Sequence, residues 1–297
     1  MSTLSRRAFL ATAAAAPLAA SAAIARPIDP IARTRPSHLK LSLAAYSFRD
    51  RLTAKPPTLD LFGFADLAAD WALDAIEPTA YYFPPDVDDA YLNRLKTHAF
   101  LLGLDVSGTA IGNNFCMADG PERDMQIAMA RTWIDRAAIL SAPVIRVFAG
   151  NTPKGDSEDV AVERAIAGLN EVLPYAAEKG VILALENHGG ITATPKQLLR
   201  LVREIESPNF GVNLDTGNFR TDDPYADLAE LAPYAVNVQV KTEITRMGKK
   251  EEADLSRFIG ILRDAKYSGY VALEYEAADD PMTAVPSYLK KLRDLIG

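Results

Sequence analysis

An eight-stranded parallel α/β barrel, a (β/α)8 or TIM barrel, is the fold this chain predicts, and three observations predict it. Short apolar runs alternate with amphipathic stretches from residue 39 onward, which implies a parallel sheet. Eight such pairs occur in order, enough to close the sheet on itself. The chain has 297 residues, and a barrel takes about 250, so one domain and a short leader account for the length. No G-x-G-x-x-G follows the first run, so the rival doubly wound, dinucleotide-binding sheet lacks its main support.

Each element has its own signal. Strand one reads over 39–48 (LKLSLAAYSF). The next helix spans 59–71, with Leu61, Phe64, Ala65, Ala68 and Trp71 at helical spacing. Strand two is short, at Ala75-Ile76-Glu77. A helix over 87–102 stops at Gly103, and LDVSGTA (104–110) is strand three. Pro121 opens a helix over 121–140, and APVIRVFAG (142–150) is strand four. A helix over 157–179 ends before Gly180, and VILALEN (181–187) is strand five. Thr194-Pro195 is a helix N-cap followed by a first-turn proline. Strand six is 210–215, a short helix follows at 225–233, and AVNVQVK (235–241) is strand seven. A helix over 251–266, strand eight over 269–275 and a helix over 282–296 close the series.

The N-terminus reads differently. Ser5-Arg6-Arg7 precedes an alanine-rich apolar stretch, and Ala23-Ile24-Ala25 supplies small residues at cleavage spacing. That is a secretory signal of the twin-arginine kind. Residues 1–25 are therefore expected to be a signal peptide, 26–38 a linker, and 39–297 the barrel. The expectation is a periplasmic protein, exported folded and free of the membrane after cleavage. Net charge is −7, with no long basic run, which argues against a nucleic-acid partner. Cys116 is the sole cysteine, so multi-cysteine zinc sites are excluded, and three histidines leave a metal site dependent on oxygen.

Four polar residues close four successive strands: Glu186 in ALEN, Asp215 in NLDTGN, Gln239 in VQVK and Glu274 in ALEYE. In a barrel such ends converge on one face, where active sites sit. Three carboxylates meeting there repel one another, and a divalent cation with oxygen ligands relieves the conflict.

The set ALENHGG, NLDTGN, VQVK and ALEYE resembles the sugar phosphate isomerase/epimerase family, the xylose isomerase-like barrels. The opening LSLAAYSFRD, the IGNNF segment and RVFAG resemble its exported members. The resemblance covers the chain from residue 40 onward. It implies metal ligation by Glu186, Asp215, Gln239 and Glu274. Gln239 departs from the pattern, which has histidine there. A neutral amide oxygen moves the expected metal from zinc toward Mn2+, with Mg2+, Co2+ and Zn2+ as alternatives.

The resemblance also implies chemistry: a proton is removed next to the carbonyl of a keto sugar, giving an enediolate, with Glu186 and Glu274 as the base and acid pair. His188 and Lys241, each two residues beyond a strand-end ligand, complete the catalytic candidates. Tyr46, Arg49, Asn113, Arg146, Asn187, His188, Lys241 and Glu243 are the candidate substrate contacts. The expected partner is a small carbohydrate, with room for a homo-oligomer. The same proton abstraction serves a 3-keto-glycoside lyase or a keto-inositol dehydratase, and a non-catalytic sugar-binding barrel is the remaining alternative.

Overall fold

The structure, a computed structural model, describes residues 29–297. The export signal expected over 1–25 lies outside the described residues. Nine strand segments build one parallel sheet: β1 (Leu39–Ala44), β2 (Ala75–Glu77), β3 (Asp105–Val106), β4 (Thr109–Ala110), β5 (Val144–Val147), β6 (Ile182–Glu186), β7 (Phe210–Asp215), β8 (Ala235–Val240) and β11 (Gly269–Leu273). Two further strands, β9 (Glu243–Arg246) and β10 (Lys249–Glu252), form a separate antiparallel hairpin.

The wall runs in the order β3-β2-β1-β11-β8-β7-β6-β5-β4. Its ends, β3 and β4, are two halves of the strand expected over 104–110, interrupted at Ser107-Gly108. The first half pairs with β2 and the second with β5. A parallel bridge from Thr79 to Ala110 spans the gap. A TIM barrel with eight strand positions results, as the sequence predicts. Gly108 is required at the break, since a Cβ there would stand 2.7 Å from Val144 Cγ1.

Strand alternation sorts the side chains into two populations. Leu41, Leu43, Ile145, Leu183, Leu185, Val212, Leu214 and Val238 join the buried apolar cluster. They meet the inner faces of helices such as α3 (Asp89–Leu101, through Leu92, Leu95 and Ala99) and α4 (Pro121–Leu140, through Ile134, Ala137 and Leu140). Each buried Leu, Ile or Val contributes about 1.5–3 kcal/mol, so this shell dominates cohesion. The alternate positions turn inward and are polar: Ser42, Glu77, Arg146, Glu186, Asn213, Asp215, Asn237 and Gln239 are all buried.

The helices begin where side-chain caps accept backbone N–H groups. Asp60 caps α2 (Leu61–Asp70), Ser157 caps α5 (Glu158–Glu178), Thr194 caps α6 (Pro195–Val202), and Asp223 caps α7 (Pro224–Leu231). Asp254 caps α8 (Leu255–Asp264), so the helix expected from residue 251 starts later. The residues before it belong to the β9–β10 hairpin. Met247 and Gly248 both take positive φ there, the backbone a two-residue hairpin loop demands. Strand one is also shorter than expected, since Ala45–Phe48 is a 3-10 turn leading into α1 (Arg49–Leu52). The closing helix is α9 (Pro281–Ile296).

The described part of the expected linker is tied to the barrel. Ile31 N–H donates to Pro233 O, Arg33 to the Pro233 and Ala235 carbonyls, and Ser37 Oγ to Tyr267 O. Among the described residues no helix is long and apolar enough to cross a membrane.

Candidate active site

Two tiers of polar side chains occupy the barrel interior. The lower tier is a ring of four. Gln239 Nε2 donates to Glu77 Oε1, and Asn213 Nδ2 donates to Gln239 Oε1 at 2.7 Å. Asn237 Nδ2 donates to Asn213 Oδ1 at 2.8 Å and to Glu77 Oε2 at 2.9 Å. β2 and β8 are separated in the wall by β1 and β11, so the contacts of Glu77 with Asn237 and Gln239 cross the interior. Burial pushes the Glu77 carboxyl up to about 7, although both amides favour its charged form.

The upper tier holds the carboxylates. Glu186 ends β6 and Asp215 ends β7, while Glu274 follows β11 directly. All three are at most 5% exposed. Two cations lie among them. Arg146 Nε is 2.8 Å from Glu186 Oε2, although its N–H is not aimed along that line and both atoms lack an aligned hydrogen bond. Lys241 Nζ is 3.3 Å from Asp215 Oδ2, 3.2 Å from Glu274 Oε2 and 2.6 Å from Glu276 Oε1. Glu186 Oε1 accepts from Asn218 Nδ2 at 2.8 Å, and Asp215 Oδ1 accepts from Gly217 N–H at 2.8 Å.

Electrostatics follow from this packing. Burial pushes Glu186 up to about 7 against the pull of Arg146, and it pushes Asp215 well above the ordinary range against the pull of Lys241. Burial also opposes the Lys241 charge, yet Asp215, Glu274, Glu276 and Glu186 together hold its pKa above the ordinary value. The ammonium therefore stays charged at neutral pH.

The structure thus brings Glu186, Asp215, Glu274, Lys241 and Arg146 together. Gln239 lies beside them in register with Asp215, but both ends of its amide are committed to the ring below. Arg146 is also held by the Ile111 carbonyl at 2.7 Å, with its guanidinium 4.1 Å over the Phe148 ring. His188 is exposed at the rim, its ring 4.3 Å from that of Phe148. Desolvation on the stacked side, then Arg146 and Lys241, pull its pKa down to about 4.

Other candidates take other positions. Asn187 clamps β7, donating to Asp215 O and accepting from Asp215 N–H, both at 2.9 Å. Asn113 pins Phe148 in the same two-way manner. Neither amide faces the carboxylates with a free end. Arg49 donates to the Tyr275 and Glu276 carbonyls, with its guanidinium over Tyr46. Glu243 pairs with Lys250 across the hairpin. A cavity of about 180 Å3 opens between Asn218, Lys241, Glu243 and Glu276, and one of about 150 Å3 lies beside Asn113, Phe148 and His188. A cavity of about 470 Å3 near Phe100, Leu104 and Tyr270 lies at the opposite end of the strands, away from these groups.

Sequence reasoning passed over Glu77, Asn213, Asn237 and Glu276. Each had a signal. Glu77 ends a short apolar strand as Glu186 does, Asn213 and Asn237 stand two residues from a recognised site residue on the same strand face, and Glu276 stands two residues beyond Glu274.

The residues present do not fit a metal cage in this arrangement. Among the described residues no group of three or more His, Cys, Asp or Glu side chains is placed to hold a metal ion. The fourth expected ligand, Gln239, has its oxygen engaged by Asn213. An ammonium and a guanidinium already contact the three carboxylates.

Comparisons with known proteins agree on the fold. A family model described as xylose isomerase-like TIM barrel matches residues 65–295. An uncharacterized protein of Methanocaldococcus jannaschii is 29% identical over 114 residues, 36% of this chain and 39% of that relative, so the match spans well under half of its length. Among solved structures, a xylose isomerase domain protein from Planctomyces limnophilus is 18% identical with a TM-score of 0.66, covering 89% of this chain and 98% of its own. D-psicose 3-epimerase from Clostridium cellulolyticum H10, solved with D-tagatose, is 20% identical with a TM-score of 0.68, covering 86% and 91%. 3-keto-D-glucoside 4-epimerase from E. coli is 17% identical with a TM-score of 0.65, covering 87% and 99%. At these identities the structural likeness speaks for the fold alone.

Proposed function

This chain belongs to the xylose isomerase-like TIM barrel family, and on that premise we propose that it is a sugar isomerase or epimerase acting by proton transfer next to a carbonyl. One observation carries the reading: Glu186, Asp215 and Glu274 converge, buried, at the strand ends where barrel active sites form, with Lys241 between two of them.

In this reading the Glu274 carboxylate takes the proton from the carbon beside the carbonyl. The C–H electron pair forms a carbon–carbon double bond, and the carbonyl π pair moves onto oxygen to give an enediolate. Lys241 and Arg146 face the developing oxyanion as fixed positive charges. Glu186, whose raised pKa lets it carry a proton near neutrality, returns a proton to the opposite face or to the neighbouring carbon. The first outcome is epimerisation and the second isomerisation. The 3-keto-glycoside lyase shares the first half, with the electron pair expelling a substituent instead. Keto sugars are the proposed substrate class, since the chemistry requires a carbonyl beside an acidic C–H.

The test is proton exchange in heavy water across keto sugars, aldoses and 3-keto glycosides. Deuterium uptake at one carbon of one substrate class is the expected result. Glu274→Gln should fold normally and lose on the order of 10²–10⁴-fold in exchange rate, the usual span for a general acid or base. No uptake with any class, or full exchange in Glu274→Gln, overturns the assignment.

The leader belongs to the same proposal. Arg6 and Arg7 suit a twin-arginine export signal and a periplasmic site of action. Joint replacement of both by Lys should keep the protein in the cytoplasmic fraction, and unchanged periplasmic recovery would refute this.

A further inference from the structure

We propose that Lys241 and Arg146 are the built-in counter-charge of the carboxylate cluster, and that this centre works without a bound dication. The inference rests on the reading of that cluster as the reaction centre.

Three independent features point to it. The first is charge. The three strand-end carboxyl groups, −3 only when all are ionised, face two resident cations, one at 2.8 Å from Glu186 and one at 3.3 and 3.2 Å from Asp215 and Glu274. A dication placed among the same oxygens would stand within a few ångströms of the ammonium, where like charges repel strongly.

The second is the orientation of the Gln239 amide. Glu77, when ionised, only accepts hydrogen bonds. Its Oε1 is met by Gln239 Nε2, and this directs the amide oxygen toward Asn213. Turning the amide to free its oxygen for a metal would set that oxygen against a carboxylate oxygen. The position where the family pattern places histidine is thus wired into the lower ring.

The third is the seat of the lysine. A Cβ on residue 217 would lie 2.8 Å from both Cβ and Cδ of Lys241, and 2.8 Å from the Glu243 carbonyl oxygen. Gly217 therefore leaves a slot that the lysine stem fills. Lys241 N–H donates to Thr216 Oγ1 at 2.9 Å, which fixes the backbone at the same point. Its ammonium is held in position rather than free to swing away.

The experiment measures metal directly, without substrate. The full chain is purified, its metal content is determined, and its thermal midpoint is followed with EDTA and then with millimolar MnCl2. The expected result is far less than one ion per chain and a midpoint that neither reagent moves. A near-stoichiometric divalent ion, or a midpoint that falls with EDTA and recovers with Mn2+, overturns the proposal. Lys241→Met removes the counter-charge while keeping a stem of similar length. It should lose stability at neutral pH and gain a midpoint that rises with Mn2+. A Lys241→Met protein as stable as the parent and indifferent to Mn2+ would also overturn it. If that variant does not fold, the parent's metal content and Mn2+ response decide alone. Because metal uptake is read without turnover, a wrong substrate assignment and a wrong counter-charge assignment give different results.

Discussion

Glu77→Gln should flatten the dependence of stability on pH. Glu77 is fully buried, and its carboxyl is pushed from an ordinary 4.5 to about 7. A rise of that size corresponds to about 3 kcal/mol. The folded state then binds the proton more tightly than the unfolded chain does. That contribution is complete below the ordinary value and is lost as pH climbs through about 7. A glutamine cannot ionise, so the loss disappears. The new amide sets its NH2 against either Gln239 Nε2 or Asn237 Nδ2, so one contact of the ring is lost at every pH and the slope alone reports the missing ionisation. Urea midpoints for parent and variant at about pH 5 and about pH 8 test this. The difference in unfolding free energy between the two conditions should shrink by about 3 kcal/mol in the variant. Parallel curves for the two proteins would refute the assignment of the raised pKa to Glu77. Glu77→Leu is the contrasting case. It strands Gln239 Nε2 and one bond of Asn237 Nδ2, and should cost about 1–3 kcal/mol for each donor left unpaired.

Three further outcomes are expected. Gly217→Ala drives a methyl group against the Lys241 stem and the Glu243 carbonyl, and should cost about 1–3 kcal/mol in chemical denaturation; an unchanged midpoint would show that Lys241 has slack. His188, with its pKa lowered toward 4, should remain neutral at physiological pH, so its ring C–H resonance should not titrate between about pH 6 and 8; a midpoint near its ordinary 6.5 would show that neither desolvation nor the two cations act on it as described. The Cys116 thiol, buried and pushed up to about 11, should resist a thiol reagent at about pH 8 until the protein is unfolded; rapid labelling of the native chain would contradict its burial.

Much of the fold was legible because period and punctuation agree. The parallel strands carry apolar residues on the face that meets the helices, and Pro121, Thr194-Pro195 and Gly180 mark helix ends where the structure has them. The hairpin was not legible. KKEE (249–252) has no apolar alternation, and its pairing partner EITR depends on a turn at Met247-Gly248 that composition alone does not advertise. The break in the third strand was hidden for a related reason, since each half holds only two paired residues and borrows its partner from a different neighbour.

The candidate site shows the same division. Strand ends gave Glu186, Asp215 and Glu274, because an acid closing an apolar run is a local signal. The ring was missed because it is a relation among β2, β7 and β8, visible only once the barrel brings Glu77 beside Asn237 and Gln239. Asn187 and Asn113 were read as substrate contacts, yet each spends both ends of its amide on backbone. An asparagine at a strand end serves equally as a clamp, and the sequence does not separate the two uses.

The interruption at Ser107-Gly108 bears on how water and protons reach the interior. A closed cylinder of hydrogen bonds admits exchange only through its openings. This one carries a vertical slit, bridged by Thr79 and Ala110, and a Cβ on Gly108 would lie 3.5 Å from Glu77 Oε2. Ser107, Gly108 and Thr109 are themselves buried, so the packed slit shields the Glu77 carboxylate from that side even though no ladder of hydrogen bonds closes it.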